Sequence, residues 1–313
     1  MNLRKVAIIG CGMVGSSTAF SLVESGLFTD MLLIDISRDR AVGEAMDLSH
    51  CLPFTRPVEI RAGDYRDISD CGIIIITAGV GQKPGETRMD CIQNNVKVFR
   101  SIIPQIIRYN TDAFILVVTN PVDVLTYVAH KLSELPSSQV FGSGTVLDSA
   151  RLKFLVGRRL NVDPRSVHAF VIGEHGDSEL AVWSSANVSG IALDEYCSHC
   201  GYVSHAHNRK KLADEVKNSA YEIIERKGAT YYGIAAAVTR ICECIVRDEH
   251  SIMSVSALVN GHYGLSDVYI SVPSRIGSGG VEDIIDIPLS DEEAAALDSS
   301  AQTLKTALRE IGF

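Results

Sequence analysis

The segment Val6-Ala-Ile-Ile-Gly-Cys-Gly-Met-Val-Gly15 joins a short apolar run to three glycines, Gly10, Gly12 and Gly15. The apolar run is typical of a buried β-strand, and residues 16–25 after the glycines have the pattern of a helix. A glycine turn between a strand and a helix lets the backbone approach a pyrophosphate, which then lies at the helix N-terminus. The segment therefore predicts the first unit of a dinucleotide-binding sheet.

The next apolar run, Met31-Leu-Leu-Ile34, ends in Asp35, twenty residues after Gly15. A carboxylate at the end of the second strand can accept hydrogen bonds from a ribose diol, and it repels a 2′-phosphate. We therefore expect NAD rather than NADP as the cofactor.

Further apolar runs continue this architecture. Residues 71–77, 114–118 and 140–142 are typical of strands in a parallel sheet that is covered on both faces, and helical patterns lie between the earlier runs. We therefore predict an α/β chain whose residues 1–144 form an N-terminal Rossmann domain with a doubly wound parallel sheet.

The second half has a different pattern of strands. Residues 251–259 and 267–272 flank an Asn260-Gly261 turn, and this arrangement is typical of antiparallel strands. We expect residues 145–313 to form an α+β domain that binds the substrate and carries the catalytic groups.

Composition limits the classes of function. Of the 313 residues, 46% are hydrophobic and 21% are charged, and 38 acidic against 29 basic residues give a net charge of −9. This balance, without a long run of lysine and arginine, argues against nucleic acid as a partner. No apolar run approaches the roughly 20 residues of a membrane helix, and a strand begins near the N-terminus without a signal-type segment. We expect a cytoplasmic protein without a membrane partner.

The eight cysteines are scattered, which favours free thiols. Cys197-Ser-His-Cys200 with His205 and His207 offers four side chains that can in principle surround a zinc ion. The second cysteine pair and the usual histidine spacing of such sites are missing, and Cys242-Glu-Cys244 has a helical pattern. We therefore expect no metal site.

The segment Ile172-Gly-Glu-His-Gly-Asp-Ser178 follows the strand-like run of residues 167–171 and contains His175. Imidazole titrates closest to neutrality, so a histidine held at a strand end among glycines suits proton transfer. The alternative is an ordinary histidine in a turn, because turns collect glycine and aspartate.

Residues 78–88 follow the strand-like run of residues 71–77 and include three glycines and a proline. This composition predicts a loop that can act as a lid, with Gln82 and Arg88 available to face a ligand. The alternative is a solvated loop with incidental polar residues.

Three other polar residues are site candidates. Asn120 follows a predicted strand of the parallel sheet, and such sheets bind their ligands at the carboxyl ends of the strands. Asp148 and Arg151 lie one turn apart on a predicted helix, where the simplest alternative is a surface ion pair.

Read together, these segments resemble the lactate/malate dehydrogenase family, and the match runs from Val6 to the C-terminal helix. The motifs that carry the resemblance occur in family order and spacing: Gly10–Gly15, Gln82–Arg88, Thr119–Asp123, Leu147–Arg151, Ile172–Ser178, Lys227–Thr230 and Asp267–Ile270.

The resemblance implies a role for each catalytic candidate. His175 would give its proton to the carbonyl oxygen of a 2-oxo acid as hydride arrives from the nicotinamide, and Asp148 would orient the imidazole and stabilise its cation. Arg151 would bind the substrate carboxylate through two parallel hydrogen bonds. Arg88 would polarise the carbonyl when the lid closes.

The same resemblance implies the binding residues. Those at the substrate are Gln82, Arg88, Asn120, Arg151 and Thr230. Those at the NAD cofactor are Gly10, Gly12, Val14, Gly15, Asp35, Arg40, Tyr65, Gly79, Val80, Ser101, Val118, Asn120 and Ile234.

Gln82 indicates the branch of the family, because malate dehydrogenases have arginine there to pair with the second carboxylate of oxaloacetate. An unpaired second carboxylate in a closed site is costly, so the neutral glutamine favours pyruvate. Malate dehydrogenase and another 2-hydroxy-acid dehydrogenase remain alternatives. A nucleotide-binding protein without chemistry is another, although it would not need His175, Asp148, Arg151 and Arg88 together.

Many bacterial members of the family are activated by fructose 1,6-bisphosphate, which an arginine and a histidine bind between subunits. His168 stands at the histidine position, whereas Lys153 stands at the arginine position and keeps the charge without the fork. The resemblance thus implies that activation is retained but weaker. It also implies a homotetramer.

Overall fold

The computed structural model describes residues 1–81, 85–199 and 205–313. Within these ranges the strands are β1 (Asn2–Ile9), β2 (Asp30–Ile34), β3 (Glu59–Ala62), β4 (Cys71–Ile76), β5 (Phe114–Val117), β6 (Val140–Gly142), β7 (Val167–Ile172), β8 (Leu180–Val188), β9 (Ile191–Ala192), β10 (Ser251–Val259), β11 (Val268–Gly277) and β12 (Gly280–Ile284). The helices are α1 (Met13–Ser25), α2 (Arg38–Ser49), α3 (Arg88–Tyr109), α4 (Val122–Ser133), α5 (Val146–Leu160), α6 (Leu193–His199), α7 (His205–Lys227), α8 (Tyr232–Arg247) and α9 (Asp291–Glu310).

The larger sheet of the described residues has nine strands in the order β12-β11-β10-β6-β5-β4-β1-β2-β3. Strands β1 to β6 pair in parallel, which confirms the predicted Rossmann sheet. The predicted antiparallel pairing of β10 with β11 is also confirmed. These strands extend the parallel sheet, because Ser256 of β10 pairs with Gly142 of β6. A smaller antiparallel sheet consists of β7, β8 and β9.

The centre of the larger sheet is buried on both faces, as the isoleucine run of β4 shows. Ile74 and Ile76 enter one apolar core with side chains of α3, α4 and α9. Ile73 and Ile75 enter the other core with side chains of α1, α2 and α8. Successive residues of a strand face opposite sides of the sheet, so a continuous apolar run fits a strand with helices packed on both faces.

Some elements differ from the sequence-based expectation. Helix α4 was not predicted, and most of its residues are buried, which removes the polar face that marks an amphipathic helix. A proline inside a helix usually bends or breaks it, but α3 continues past Pro104. Ser290 and Glu293 form a capping box at the start of α9, as the spacing of a serine and a glutamate three residues later predicts. Within the described ranges, no helix is both long and apolar enough to cross a membrane.

Candidate active site

The carboxyl ends of β1, β4 and β5 meet at one edge of the sheet, and hydrogen bonds tie the turns that follow them. The Thr77 hydroxyl donates to the Gly10 carbonyl at 2.7 Å. The Thr119 hydroxyl donates to the Ala78 carbonyl at 2.9 Å. These hydrogen bonds join the loops after β1, β4 and β5 at the edge of the sheet where parallel sheets bind their ligands.

The glycine turn fits the close approach of a dinucleotide. Gly10 has a φ of +102°, and a Cβ there would lie 2.5 Å from the Ala78 nitrogen. A Cβ on Gly15 would collide with the Gly10 carbonyl. Gly12 is the N-cap of α1, and the space beside its α-carbon is open. The turn therefore packs tightly on the protein side and leaves room for a pyrophosphate at the helix N-terminus.

Asp35 is held beside this turn at the end of β2. One carboxylate oxygen accepts from the Cys11 N–H at 2.7 Å, and the other accepts from the Ser37 N–H at 2.8 Å. Arg40 lies in the first turn of α2, where its N–H donates to the Ser37 hydroxyl. The carboxylate is in the place that a ribose diol requires.

Gly79 and Val80, which are also predicted to bind the cofactor, lie in the loop after β4. Gly79 packs so closely on Thr119 that a Cβ would collide with it. The N–H of Val80 donates to the Asn95 side-chain oxygen at 2.7 Å, and the amide of Asn95 donates to the Asn120 carbonyl at 3.2 Å. Asn95 is buried, and sequence reasoning missed it because nothing in the sequence of α3 shows that it links two loops.

The remaining predicted cofactor residues are less closely grouped. Val14, Val118 and Ile234 belong to one apolar cluster beside the sheet. Tyr65 packs against the opposite cluster. Ser101 is exposed on α3, thirteen residues after its start, which is about 20 Å along the helix.

His175, Asp148 and Arg151 form one hydrogen-bonded unit. The Nδ1 atom of His175 lies 2.7 Å from one oxygen of Asp148, and the Arg151 guanidinium donates to the other oxygen at 2.6 Å. The Asp148 side chain is 2% exposed. The alternative of a surface ion pair is therefore wrong, because Asp148 is buried and shared between two cationic groups.

This arrangement shifts the pKa values of the unit. Burial alone would lower the pKa of His175, but the charge and hydrogen bond of Asp148 raise it to about 9. Burial alone would raise the pKa of Asp148, yet His175 and Arg151 together lower it. The site therefore holds a protonated imidazole beside an ionised carboxylate at neutral pH.

Two further contacts fix the loop that carries His175. Its N–H donates to a carboxylate oxygen of Asp123 at 2.7 Å, and the Ser271 hydroxyl donates to the other oxygen at 3.3 Å. Burial raises the pKa of Asp123 to about 6. The residue before His175 is also held through its backbone, because the Glu174 N–H donates to the Ser300 hydroxyl of α9 at 2.8 Å. Asp123 belongs to the Thr119–Asp123 motif, but the sequence alone did not indicate that it supports His175.

Helix α5 is tied to β7, and this contact sets Asp148 opposite His175. The Ser149 hydroxyl accepts from the Val171 N–H at 2.9 Å. The Thr145 hydroxyl donates to the Val171 carbonyl at 2.5 Å. Buried polar groups paired in this way leave little freedom for α5 to slide.

A cavity of about 470 Å³ opens onto these groups. Asn120, Asp148, Arg151 and His175 line it, as predicted, together with groups from α7. Thr230 lies in the connection between α7 and α8 and does not line this cavity in the part of the chain that the structure describes. Gln82 and the side chain of Arg88 lie outside the described residues, as do Cys200 and the side chains of His205 and His207.

Neither Lys153 nor His168 lines this cavity in the described part of the chain. The Lys153 ammonium is 5.9 Å from the centre of the Phe170 ring. His168 and Phe170 are two residues apart on β7 and share a face of the strand. Burial lowers the pKa of Lys153. Lys153 and Phe170 line a second cavity of about 380 Å³, which also contains Arg240.

Known proteins match this chain over nearly its full length. The NAD-binding domain of the lactate/malate dehydrogenase family matches residues 4–142, and the α/β C-terminal domain of that family matches residues 145–312. The L-lactate dehydrogenase of Thermoanaerobacterium saccharolyticum is 52% identical over 309 residues, which cover 99% of each chain. That of Acetivibrio thermocellus is 53% identical over 307 residues, which cover 98% of this chain and 97% of the relative.

Two solved structures are similar throughout. A lactate dehydrogenase from a Medee basin deep-sea metagenome library matches with a TM-score of 0.97 and 41% identity over 100% of both chains. The minor L-lactate dehydrogenase of Enterococcus mundtii, in its ligand-bound form, matches with a TM-score of 0.95 and 41% identity over 98% of both chains.

Proposed function

Because this chain belongs to the lactate/malate dehydrogenase family, we propose that it acts as an NAD-dependent L-lactate dehydrogenase. The reaction is the reversible reduction of pyruvate to (S)-lactate, which regenerates NAD at the end of lactate-forming fermentation. The observation that carries this proposal is the buried Asp148 carboxylate, shared by His175 and Arg151 at the edge of a cavity. L-lactate dehydrogenases about half identical over nearly the full length support the choice of substrate.

The NADH cofactor, when bound along the glycine turn and Asp35, supplies the hydride. His175 keeps Nδ1 on Asp148, so its other ring nitrogen is left to donate a proton to the substrate carbonyl oxygen. Asp148 holds the ring in this orientation and stabilises its cation. Because the pKa of His175 is raised to about 9, the ring carries the proton that pyruvate reduction needs at neutral pH. Lactate oxidation needs the neutral ring and is favoured at higher pH.

Arg151 binds the substrate carboxylate. Its side chain is 15% exposed, and one guanidinium nitrogen donates to Asp148. The other guanidinium N–H groups are left for the substrate. A planar guanidinium can give a carboxylate two parallel hydrogen bonds, which also fix the carbonyl relative to His175. Arg88 polarises the carbonyl as the lid closes, and Asn120 lines the substrate cavity. Thr230 does not line this cavity among the described residues, and its place at the substrate rests on the family resemblance.

Gln82 selects pyruvate over oxaloacetate. A neutral side chain leaves the second carboxylate of oxaloacetate without a partner in a site from which water is excluded. Initial rates of NADH oxidation with each substrate test this, and we expect kcat/KM for pyruvate to be higher by about 100-fold or more. Gln82→Arg should move the ratio toward oxaloacetate; an unchanged ratio would argue against this role, and turnover of neither substrate would overturn the proposed function.

We also propose that fructose 1,6-bisphosphate activates the enzyme at Lys153 and His168. The support is the half-buried Lys153, whose ammonium pKa is lowered by burial, beside the face of β7 that carries His168 and at a cavity that Arg240 also lines. A phosphate would restore the charge that burial opposes. Activator at millimolar concentration should lower the KM for pyruvate, and Lys153→Gln should abolish this effect. Identical KM values with and without activator would refute it.

We propose a homotetramer, with a surface on α1 and α2 as one subunit contact. Large apolar side chains are exposed there, among them Phe20, Val42 and Met46, and Phe54 beyond α2 is 89% exposed. Large apolar side chains exposed on neighbouring helices are typical of protein contacts. Sedimentation should show the tetramer, and Met46→Glu should reduce its mass; a monomer of unaltered sequence would refute the proposal.

The division into domains and the location in the cell are also proposals. The two family domains that match the chain, over residues 4–142 and 145–312, support a boundary near residue 144. Cys11, Cys51, Cys71, Cys91, Cys242 and Cys244 are free thiols, which supports the reducing cytoplasm.

A further inference from the structure

One buried acid of the cavity takes no part in the steps above. Glu179 ends the loop that carries His175 and directly precedes β8, and it is 5% exposed. It lines the cavity of Asp148, Arg151 and His175. A carboxyl oxygen of Glu179, one of Asp148 and a ring nitrogen of His175 all lie within 4.8 Å of one another.

Two carboxyl groups therefore share one buried place, and their partners differ. Asp148 has His175 at 2.7 Å and Arg151 at 2.6 Å. No comparable ion pair involves Glu179 among the residues that the structure describes. Two buried carboxylates at this separation repel each other, so the one with closer cations ionises and the other keeps its proton. The geometry makes Asp148 the carboxylate and Glu179 the neutral acid.

The direction of the Glu179 pKa agrees with this assignment. Burial raises it to about 8, and the charge of Asp148 acts in the same direction, while His175, Lys217 and Arg151 oppose the shift. The titratable groups that line the same cavity are Asp148 and Arg151 of α5, His175 and Asp177 of the loop, and Lys217 and Tyr221 of α7. Cys91 of α3 also lines it, and burial raises the pKa of its thiol. Asp123 lies behind the loop, on the His175 amide.

The protonation of Glu179 decides the charge that an incoming substrate meets. Before Arg88 enters with the lid, the unit of Asp148, His175 and Arg151 carries one net positive charge if Glu179 is neutral, and the carboxylate of the incoming substrate cancels it. If Glu179 is ionised, these four groups together sum to zero, and the substrate adds an unbalanced negative charge. Such a charge is costly in a largely buried place.

We propose that Glu179 is a charge-setting residue of the substrate pocket: as a neutral acid it admits the carboxylate of the 2-oxo acid, and its ionisation expels that carboxylate. This inference rests on the proposed function and assigns the alkaline loss of pyruvate binding to a group besides His175. Glu179 acts through the charge of the pocket and does not itself exchange a proton with the substrate.

The test is the pH dependence of kcat/KM for pyruvate, which reports groups of the unliganded enzyme. In the unaltered enzyme, kcat/KM should begin to fall near pH 8, where Glu179 ionises. Glu179→Gln keeps the shape of the neutral acid and cannot ionise, so the fall should move toward pH 9, where His175 loses its proton. The shift should appear in KM more than in kcat. Glu179→Asp retains a titratable acid and should keep the earlier fall.

Glu222→Gln is the matched control, because Glu222 is exposed on α7 and the change alters the net charge equally. It should leave the profile in place. An unchanged midpoint in correctly folded Glu179→Gln would overturn the inference, and so would a downward shift, which would mean that ionised Glu179 holds the proton on His175. Either result leaves the proposed function standing, whereas absence of pyruvate turnover in the unaltered enzyme refutes the function itself.

Discussion

Two pairs of histidine and carboxylate have almost the same length in this molecule. The Nδ1 atom of His175 lies 2.7 Å from Asp148, and the Nδ1 atom of His250 lies 2.8 Å from Glu282. The first pair is at the edge of the substrate cavity. The second joins the segment after α8 to β12 at the surface.

The two pairs differ in what surrounds them. The histidine and acid are 25% and 2% exposed in the first pair, and 53% and 20% exposed in the second. Asp148 is shared with Arg151, and Asp123 holds the backbone of His175. Because water screens charges at a surface and screens them far less in an interior, equal distances give unequal electrostatic effects. Burial, and not the contact itself, suits the first pair to proton transfer.

The comparison is tested most strongly by replacing one acid in each cluster. Asp148→Asn removes the charge that stabilises the His175 cation, and we expect kcat/KM for pyruvate to fall about 10²- to 10⁴-fold. The pKa of His175 should fall from about 9, which NMR titration of the ring measures. Asp248→Asn is the matched change beside His250. Similar losses in both variants would contradict the distinction between the clusters.

The grouping of Asp148, His175 and Arg151 could be predicted because short motifs carry these residues, and helix spacing already places Asp148 and Arg151 on one face. The residues that support this group could not be predicted. Asp123, Asn95 and Glu179 owe their importance to burial against segments distant in the chain, which no local pattern reveals. For the same reason, the sequence predicted that β10 and β11 are antiparallel but not that β10 pairs with β6.

The stability of the protein should depend on pH through the first pair. His175 has a folded-state pKa raised to about 9, above the ordinary value of about 6.5. Its contribution to stability is therefore fully present below about pH 6.5 and is lost as the pH rises through about 9. Urea unfolding of the unaltered enzyme and His175→Gln should show the difference in unfolding free energy falling by about 3 kcal/mol across this window. A difference independent of pH would show that the ring is not held as a cation.

The backbone support of His175 has a smaller expected effect. Asp123→Ala leaves the N–H of His175 without its acceptor in a buried place, and an unsatisfied buried donor costs about 1–3 kcal/mol. We expect the free energy of unfolding to fall by about 2 kcal/mol at pH 7, with a lower kcat because the ring is less well placed. Because burial raises the pKa of Asp123 to about 6, the loss should be larger at pH 5, where the protonated acid no longer has a charge to desolvate. A smaller loss at pH 5 than at pH 7 would contradict the assigned cost of ionisation.

The smallest effect is expected at His250, and it decides whether the exposed pair matters at all. His250→Gln removes contacts to Glu282 at 2.8 Å and to Asp248 at 3.5 Å. Glu282 keeps Arg275, whose Nε atom lies 3.3 Å away, so its carboxylate remains paired. With water on one side and a second cation in place, the change in unfolding free energy should be less than about 0.5 kcal/mol. The kcat should be unaltered, since His250 lines neither the substrate cavity nor the glycine turn in the described part of the chain. A loss comparable to that of Asp123→Ala, measured by the same urea unfolding, would show that a surface histidine pair can match a buried one, and distance alone would then be the better guide.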